Sequence, residues 1–178
     1  MPQPKLLLNP SAVTLALDRI AHQIAERNTS HGEVALVGIQ KGGVHLASRL
    51  RQSLEKIWGH SVPLGLLDVS MHRDDHNQRL PIDIQPTSIP FDPTGKIVVL
   101  VDDVLFSGRT VRAALDALTD LGRPKAIQLA VLVDRGNRDL PIKADFVGKE
   151  APTALDERID VRLKEAGAEE DSVLLLKS

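Results

Sequence analysis

Asp102 and Asp103 stand side by side, and Ser107, Gly108 and Thr110 follow after Val104, Leu105 and Phe106. Carboxylates in such a pair accept hydrogen bonds from sugar hydroxyls or face a hard divalent cation such as magnesium. Serine and threonine hydroxyls donate to phosphate oxygens, and a glycine between them lets the backbone approach a ligand closely. Arg109 lies inside the same segment. These residue types suit a phosphorylated sugar, its phosphate at the hydroxyls and its ring at the carboxylates. A structural alternative stands beside this, in which the Asp pair only caps a helix and forms salt bridges.

The surrounding pattern says what holds these groups in place. Ile97, Val98, Val99, Leu100 and Val101 form an unbroken apolar run, as in a strand buried on both faces of a parallel sheet. A helical pattern follows over residues 111–121 and is closed by Gly122 and Pro124. The carboxylates are therefore expected at the carboxyl end of a strand, where open α/β sheets bind their ligands. The loop feeds a helix N-terminus, whose free N–H groups and dipole favour a phosphate. The segment is neither a G-x-x-x-x-G-K-[ST] loop nor a G-x-G-x-x-G turn.

At 178 residues the chain predicts one domain, residues 1–178, with a real core. A formal net charge of −2 gives no global basic field, so nucleic acid could bind only at a local patch. The absence of cysteine excludes a disulfide framework and a thiolate metal site. No run approaches a membrane span and no signal-peptide pattern opens the chain, so a soluble cytoplasmic protein is expected. Three Phe, one Trp and no Tyr argue against a base-stacking platform.

Along the chain, Ser11 is the expected N-cap of a helix reaching Arg27, with Val13, Leu17, Ile20 and Ile24 as its buried stripe and His22 facing solvent. Residues 34–39 predict a strand, and Gln40-Lys41-Gly42-Gly43 a turn before a helix over 44–57. That turn is a second candidate anion site. Residues 62–69 predict the next strand, followed by a long excursion, about 70–95, rich in charge and proline and without an apolar period. Such a loop suits a lid, with a short hairpin expected within it. Residues 127–133 predict another strand, ending at Asp134-Arg135-Gly136, with a short one near 145–148. The runs 159–163 and 172–176 are too polar on one face for the central sheet and are expected in a small subdomain.

The string from Val98 to Thr110 closely resembles the PRPP-binding signature of type I phosphoribosyltransferases: an apolar strand, two acids, two small apolar residues, an aromatic and S/T-G-x-T. Arg19-Ile20-Ala21-His22, His72-Arg73-Asp74-Asp75, Gly122-Arg123-Pro124, residues 127–136 and Leu140-Pro141-Ile142-Lys143-Ala144-Asp145 extend the likeness over nearly the whole chain. They resemble the PyrR family, regulators of pyrimidine operon attenuation that are also uracil phosphoribosyltransferases.

The resemblance implies an α/β fold, a twisted parallel sheet flanked by helices, with a small hood built from the N- and C-terminal segments. It implies transfer of phosphoribose from PRPP to uracil, yielding UMP and pyrophosphate, with Mg²⁺ carried on PRPP near Asp102 and Asp103 and no dedicated protein metal site. It implies a homo-oligomer and binding to a pyrimidine-leader mRNA that responds to uridine nucleotides such as UMP. Val98, Val99, Leu100, Val101, Asp102, Asp103, Val104, Leu105, Phe106, Ser107, Gly108, Arg109 and Thr110 would bind PRPP. Lys41, Gly42 and Gly43 would form the pyrophosphate loop, and Arg73 would come from the lid to neutralise the leaving group. Val133, Asp134, Arg135 and Ile159 would border the base, although Arg135 could equally be structural. His22, Arg138, Lys143 and Lys149 match positions associated with RNA. Two departures matter. The usual Thr-Arg-Gly of the pyrophosphate loop is Lys41-Gly42-Gly43, and Asp18 brings a carboxylate to the helix face used for RNA. Two alternatives remain: a regulator with vestigial catalysis, or transfer to a different base.

Overall fold

The computed structural model describes residues 3–74 and 84–177. Strand β1 (Lys5–Leu8) leads into helix α1 (Pro10–Arg27). Strand β2 (Val34–Ile39), helix α2 (Gly42–Trp58) and strand β3 (Leu64–Leu67) follow. Then come strand β4 (Ile97–Leu105), helix α3 (Arg109–Leu121), strand β5 (Ala126–Asp134) and strand β6 (Phe146–Glu150). Strands β7 (Glu157–Arg162) and β8 (Ser172–Lys177) close the chain.

Five strands form one sheet in the order β3-β2-β4-β5-β6, and every neighbouring pair is parallel. Strand β2 is buried from end to end, and β4 and β5 are buried through their apolar middles, as strands covered on both faces must be. Alternation along β4 divides the core. Val99 and Val101 pack with α1 and α2, in a cluster with Val13, Leu17, Ile20, Leu46 and Leu50. Val98 and Leu100 pack with α3, in a cluster with Val111, Ala114 and Leu118. The expected α/β architecture is the one adopted.

A second sheet, β1-β8-β7, is antiparallel and gathers the N- and C-terminal strands, as the polar alternation of 159–163 and 172–176 required. Arg49 of α2 ties it down. Its Nε donates to Glu165 at 2.7 Å, and its Nη1 to Asp171 at 2.6 Å. Burial of aliphatic residues does the rest, since Leu163 and Val173 belong to the α1–α2 core.

The structure moves several expected boundaries. The N-cap of α1 is Asn9, not Ser11: its Oδ1 accepts the Ala12 N–H at 2.8 Å, and Pro10 takes the first helical position where no N–H is needed. The α1 stripe is buried as expected, and His22 is exposed. Helix α2 begins at Gly42, so the two glycines open the helix instead of forming a turn before it. Strand β3 covers only 64–67 of the expected 62–69. Residues 75–83 of the expected lid, including Asp75, lie outside the described residues. The described return of that excursion is partly core. Ser88 exchanges backbone hydrogen bonds of 2.8 Å with Leu66, and Ile89 and Phe91 pack on the α3-side cluster. These two apolar residues are too widely spaced from others to announce themselves as periodic.

Candidate active site at the carboxyl end of the parallel sheet

The carboxyl ends of β2 and β4 each run through a loop into a helix, and the two loops lie beside one another. Strand β4 continues through Asp102 and Asp103 to Leu105, so the acidic pair belongs to the strand and does not follow it. The cause is pairing. The described β4–β5 ladder continues to Leu105 opposite Asp134, whereas the β2 ladder stops at Val101 opposite Gly38. Past Val101 the β2 side of the strand opens towards α2.

Side chains on a strand alternate between faces, so the two carboxylates point to opposite sides of the sheet. Asp103 shares the face of Val99 and Val101 and meets the start of α2. A methyl group built on Gly42 would stand 2.2 Å from the Asp103 Oδ2. Asp102 shares the α3 face and is 8 % exposed. Burial, followed by the neighbouring Asp103 charge, holds the Asp102 carboxyl well above its ordinary range, with Arg73 opposing. Each carboxylate also accepts the next backbone N–H: Asp103 N–H to Asp102 at 2.9 Å, and Val104 N–H to Asp103 at 2.7 Å.

The loop after β4 is braced from outside. Gly108 has φ +93, a left-handed conformation that side chains resist, and its Cα faces Ile142, 3.0 Å from an added methyl. The Ser107 carbonyl accepts N–H bonds from Asp139 at 2.9 Å and Leu140 at 3.1 Å. Arg138 donates to the Phe106 carbonyl at 2.9 Å, to the Ile142 carbonyl at 2.9 Å and to Asp134 at 2.5 Å. The Arg135 guanidinium lies 4.0 Å from the centre of the Phe106 ring and donates to Thr153 Oγ1 at 2.8 Å. Segment 134–142 thus forms a collar around 106–108.

Arg73 stands at this loop too, donating to Thr110 Oγ1 at 3.2 Å. Its neighbour Asp74 binds Arg109 at 3.1 Å and Arg112 at 3.0 Å. Arg73 is therefore beside Thr110, and its charge acts on Asp102.

The loop after β2 is built differently. A methyl on Gly43 would stand 2.0 Å from the Val101 carbonyl oxygen, so α2 starts in direct backbone contact with β4. The Gln40–Lys41 peptide is cis. Lys41, Gly42, His45 and Asp103 line a cavity of about 510 Å³, with Val161 and Leu163 of the small sheet along its other wall. His45 carried no sequence signal, because one histidine inside a helical pattern has no spacing to mark it.

The remaining expected site residues are placed as follows. Val133 is fully buried in the core, and Ile159 of β7 packs against that core. Asp134 accepts from Gly136 N–H at 3.0 Å and from Arg138, so both oxygens are engaged internally. Burial lowers the proton affinity of the Arg135 guanidinium. His22 is exposed on α1, Lys143 lines a cavity with Gln23, Glu26 and Arg27 of that helix, and Lys149 is on β6, next to Gly148, whose carbonyl accepts from Arg19; Arg27 pairs with Asp145 at 2.7 Å. Arg138 is turned inward to the collar and does not join them. Among the described residues, no three His, Cys, Asp or Glu side chains cluster as a metal site, and no helix is long and apolar enough to cross a membrane.

Comparison with known proteins agrees with this geometry. The family model for the phosphoribosyl transferase domain matches residues 7–161. The Bifunctional protein PyrR of Roseiflexus sp. (strain RS-1) is 54 % identical over 175 residues, covering 98 % of this chain and 96 % of the relative. That of Pelotomaculum thermopropionicum is 53 % identical, covering 95 % and 94 %. Among solved structures, the hypoxanthine phosphoribosyltransferase of Trypanosoma cruzi superposes with a TM-score of 0.73 at 18 % identity, covering 97 % of this chain and 96 % of that one. A hypoxanthine-guanine phosphoribosyltransferase from Bacillus anthracis gives 0.72 at 20 % identity, covering 97 % and 98 %. At those identities the structures speak for the fold alone, that of the type I phosphoribosyltransferases. The sequence relatives decide the rest: with half its residues identical over nearly its full length, this chain belongs to the PyrR family of bifunctional regulators with uracil phosphoribosyltransferase activity.

Proposed function

We propose that PRPP binds across the two loops, with its 5′-phosphate in the 106–110 collar, its ribose at Asp102 and Asp103, and its pyrophosphate at Lys41, Gly42 and Gly43. The observation that carries this is the convergence of two helix N-termini on one acidic strand end. Each helix start leaves backbone N–H groups for an anion, and the acids stand between them. In the transfer, the bond from the anomeric carbon to pyrophosphate oxygen breaks and a bond from uracil N1 forms, the N1 proton being lost. The sugar gains positive charge on the way, which carboxylates stabilise electrostatically. Asp103, half-buried, presents its side chain in the cavity lining. Asp102 is better suited, when protonated, to donate a hydrogen bond to a ribose oxygen.

Phosphoribosyltransferases take PRPP with Mg²⁺. The hard oxygen of Asp103 fits such an ion, and a substrate-borne magnesium needs only one or two protein carboxylates. The ion supplies charge neutralisation of the leaving group when bound. Thr110 serves the phosphate end, and Arg73, at the start of the lid, neutralises the leaving group. Val133, Asp134, Arg135 and Ile159 frame the base, with Asp134 and Arg135 acting through their place in the collar more than through free polar atoms. We assign the antiparallel sheet as the hood, the 70–95 excursion as the lid, and a homo-oligomer as the working form. PRPP-dependent conversion of labelled uracil to UMP, run beside hypoxanthine and adenine, tests this assignment. Product from a purine and none from uracil would overturn it.

The regulatory partner is a pyrimidine-leader RNA. His22 on α1, Lys143 beside that helix and Lys149 on β6 would supply a local basic field, which two copies in a dimer would double. Asp18, Glu26, Asp145 and Glu150 interrupt it, so binding depends on recognition of unpaired bases more than on charge. Filter binding of a leader hairpin with and without UMP, at two salt concentrations, tests this. Binding indifferent to sequence and to UMP would leave catalysis as the only role.

A further inference from the structure

The cavity at the start of α2 is poorly charged for a polyanion. Its lining holds one certain cation, Lys41, and one carboxylate, Asp103, which offset each other. A side chain at position 42 would displace the Asp103 carboxylate, which fills the space a Cβ would take. Arg49, further along the same helix face, is committed to Glu165 and Asp171. Between Lys41 and Arg49, one turn from each, stands His45, half-buried and lining the cavity. Among the described lining residues, its ring nitrogens are the titratable donor that remains besides Lys41.

We propose that His45 is a pyrophosphate-binding residue, supplying from the second turn position the donor that Gly42 cannot carry. The inference rests on the assignment of this cavity to the pyrophosphate of PRPP. The reasoning is positional. Helix α2 presents its first N–H groups and Lys41 to one end of a diphosphate, and a donor four residues along the helix meets the other end, about 6 Å away along the axis. A charged or neutral imidazole donates to phosphate oxygen in either protonation state. The charged groups around it are Lys41 and Arg49 on its own helix, Asp103 on β4, and Lys164, Glu165 and Asp171 beside Leu163.

The test is steady-state kinetics on the full chain with His45→Phe and His45→Lys, together with product inhibition by pyrophosphate. His45→Phe should raise the KM for PRPP and weaken pyrophosphate inhibition, each about tenfold, the scale of one hydrogen bond to a charged group. The KM for uracil should stay as in the wild type, and His45→Lys should restore both values to within about threefold. Unchanged PRPP and pyrophosphate constants in His45→Phe would overturn the proposal. So would an equal rise in the KM for uracil, which would mark a merely structural role. Failure of the underlying assignment looks different: the wild-type chain itself would form no UMP from PRPP and show no inhibition by pyrophosphate.

Discussion

The two strand–loop–helix units, β2–α2 and β4–α3, meet at one acidic strand end but are held by opposite means. The β4–α3 loop is held by hydrogen bonds from a distant segment: 134–142 wraps 106–108 with carbonyl contacts from Arg138, Asp139 and Leu140. The β2–α2 loop is held by absence of side chain, with Gly42 and Gly43 pressed onto Asp103 and the Val101 carbonyl. The first arrangement can lose one contact and keep the others. The second has no slack, because a methyl at position 43 would overlap backbone.

Substitutions can break or sharpen this contrast. The largest effect on fold is expected from Gly43→Ala. With a carbonyl oxygen at 2.0 Å, α2 must move off β4, at a cost of about 3 kcal/mol or more, read as a lowered urea midpoint. Gly42→Ala meets a carboxylate that can rotate, so its urea midpoint should stay near wild type while kcat/KM falls through displacement of Asp103. If instead the loop lacks only the arginine of the usual Thr-Arg-Gly, Gly42→Arg lowers the KM for PRPP, and the Asp103 contact is unimportant.

Asp103→Asn should reduce kcat/KM by roughly 10²-fold or more with the fold intact, the scale of one electrostatic contact in a water-excluded site. Near-normal turnover would remove Asp103 from the chemistry. On the braced side, Arg138→Ala removes bonds to three carbonyls and a carboxylate. A loss of about 1.5–3 kcal/mol in unfolding free energy is expected, with PRPP affinity reduced through a loosened loop. Should Arg138→Ala weaken only RNA binding and leave stability unchanged, the collar is not what holds 106–108.

The smallest effect concerns the attachment of the small sheet. Hydrogen bonds from Arg49 hold the Glu165 and Asp171 carboxyls below their ordinary range. For carboxylates with depressed folded values, the stabilisation is present above the unfolded range, near pH 4, and is lost as pH falls through the depressed values. Both groups are partly in water, so the effect is modest. The difference in Tm between wild type and Arg49→Leu should shrink on titration from pH 6 to below pH 4. A difference independent of pH would mean that Arg49 contributes by packing.

What the amino-acid sequence determined by itself was whatever depends on local order: the apolar runs that become β2, β4 and β5, the α1 stripe, the carboxylates and hydroxyls of 102–110, and the polar alternation that separates β7 and β8 from the main sheet. Each is a pattern of neighbours at a period of two or of 3.6, and such periods survive into the fold because they decide which face is buried. Tertiary structure decided everything that required knowing who stands across a gap. Pairing with β5 beyond the end of β2 carried the strand through Asp102 and Asp103 and sent their side chains to opposite faces. The collar turned Arg138 and Arg135 inward, although each looks in sequence like any basic residue after a strand. Arg73 landed beside Thr110 and Asp102 because the turn after β3 docks on α3. His45 became a cavity residue because the small sheet, built from both ends of the chain, closes over α2. No spacing in the sequence encodes these contacts, since they join residues whose separation along the chain bears no relation to their distance in space.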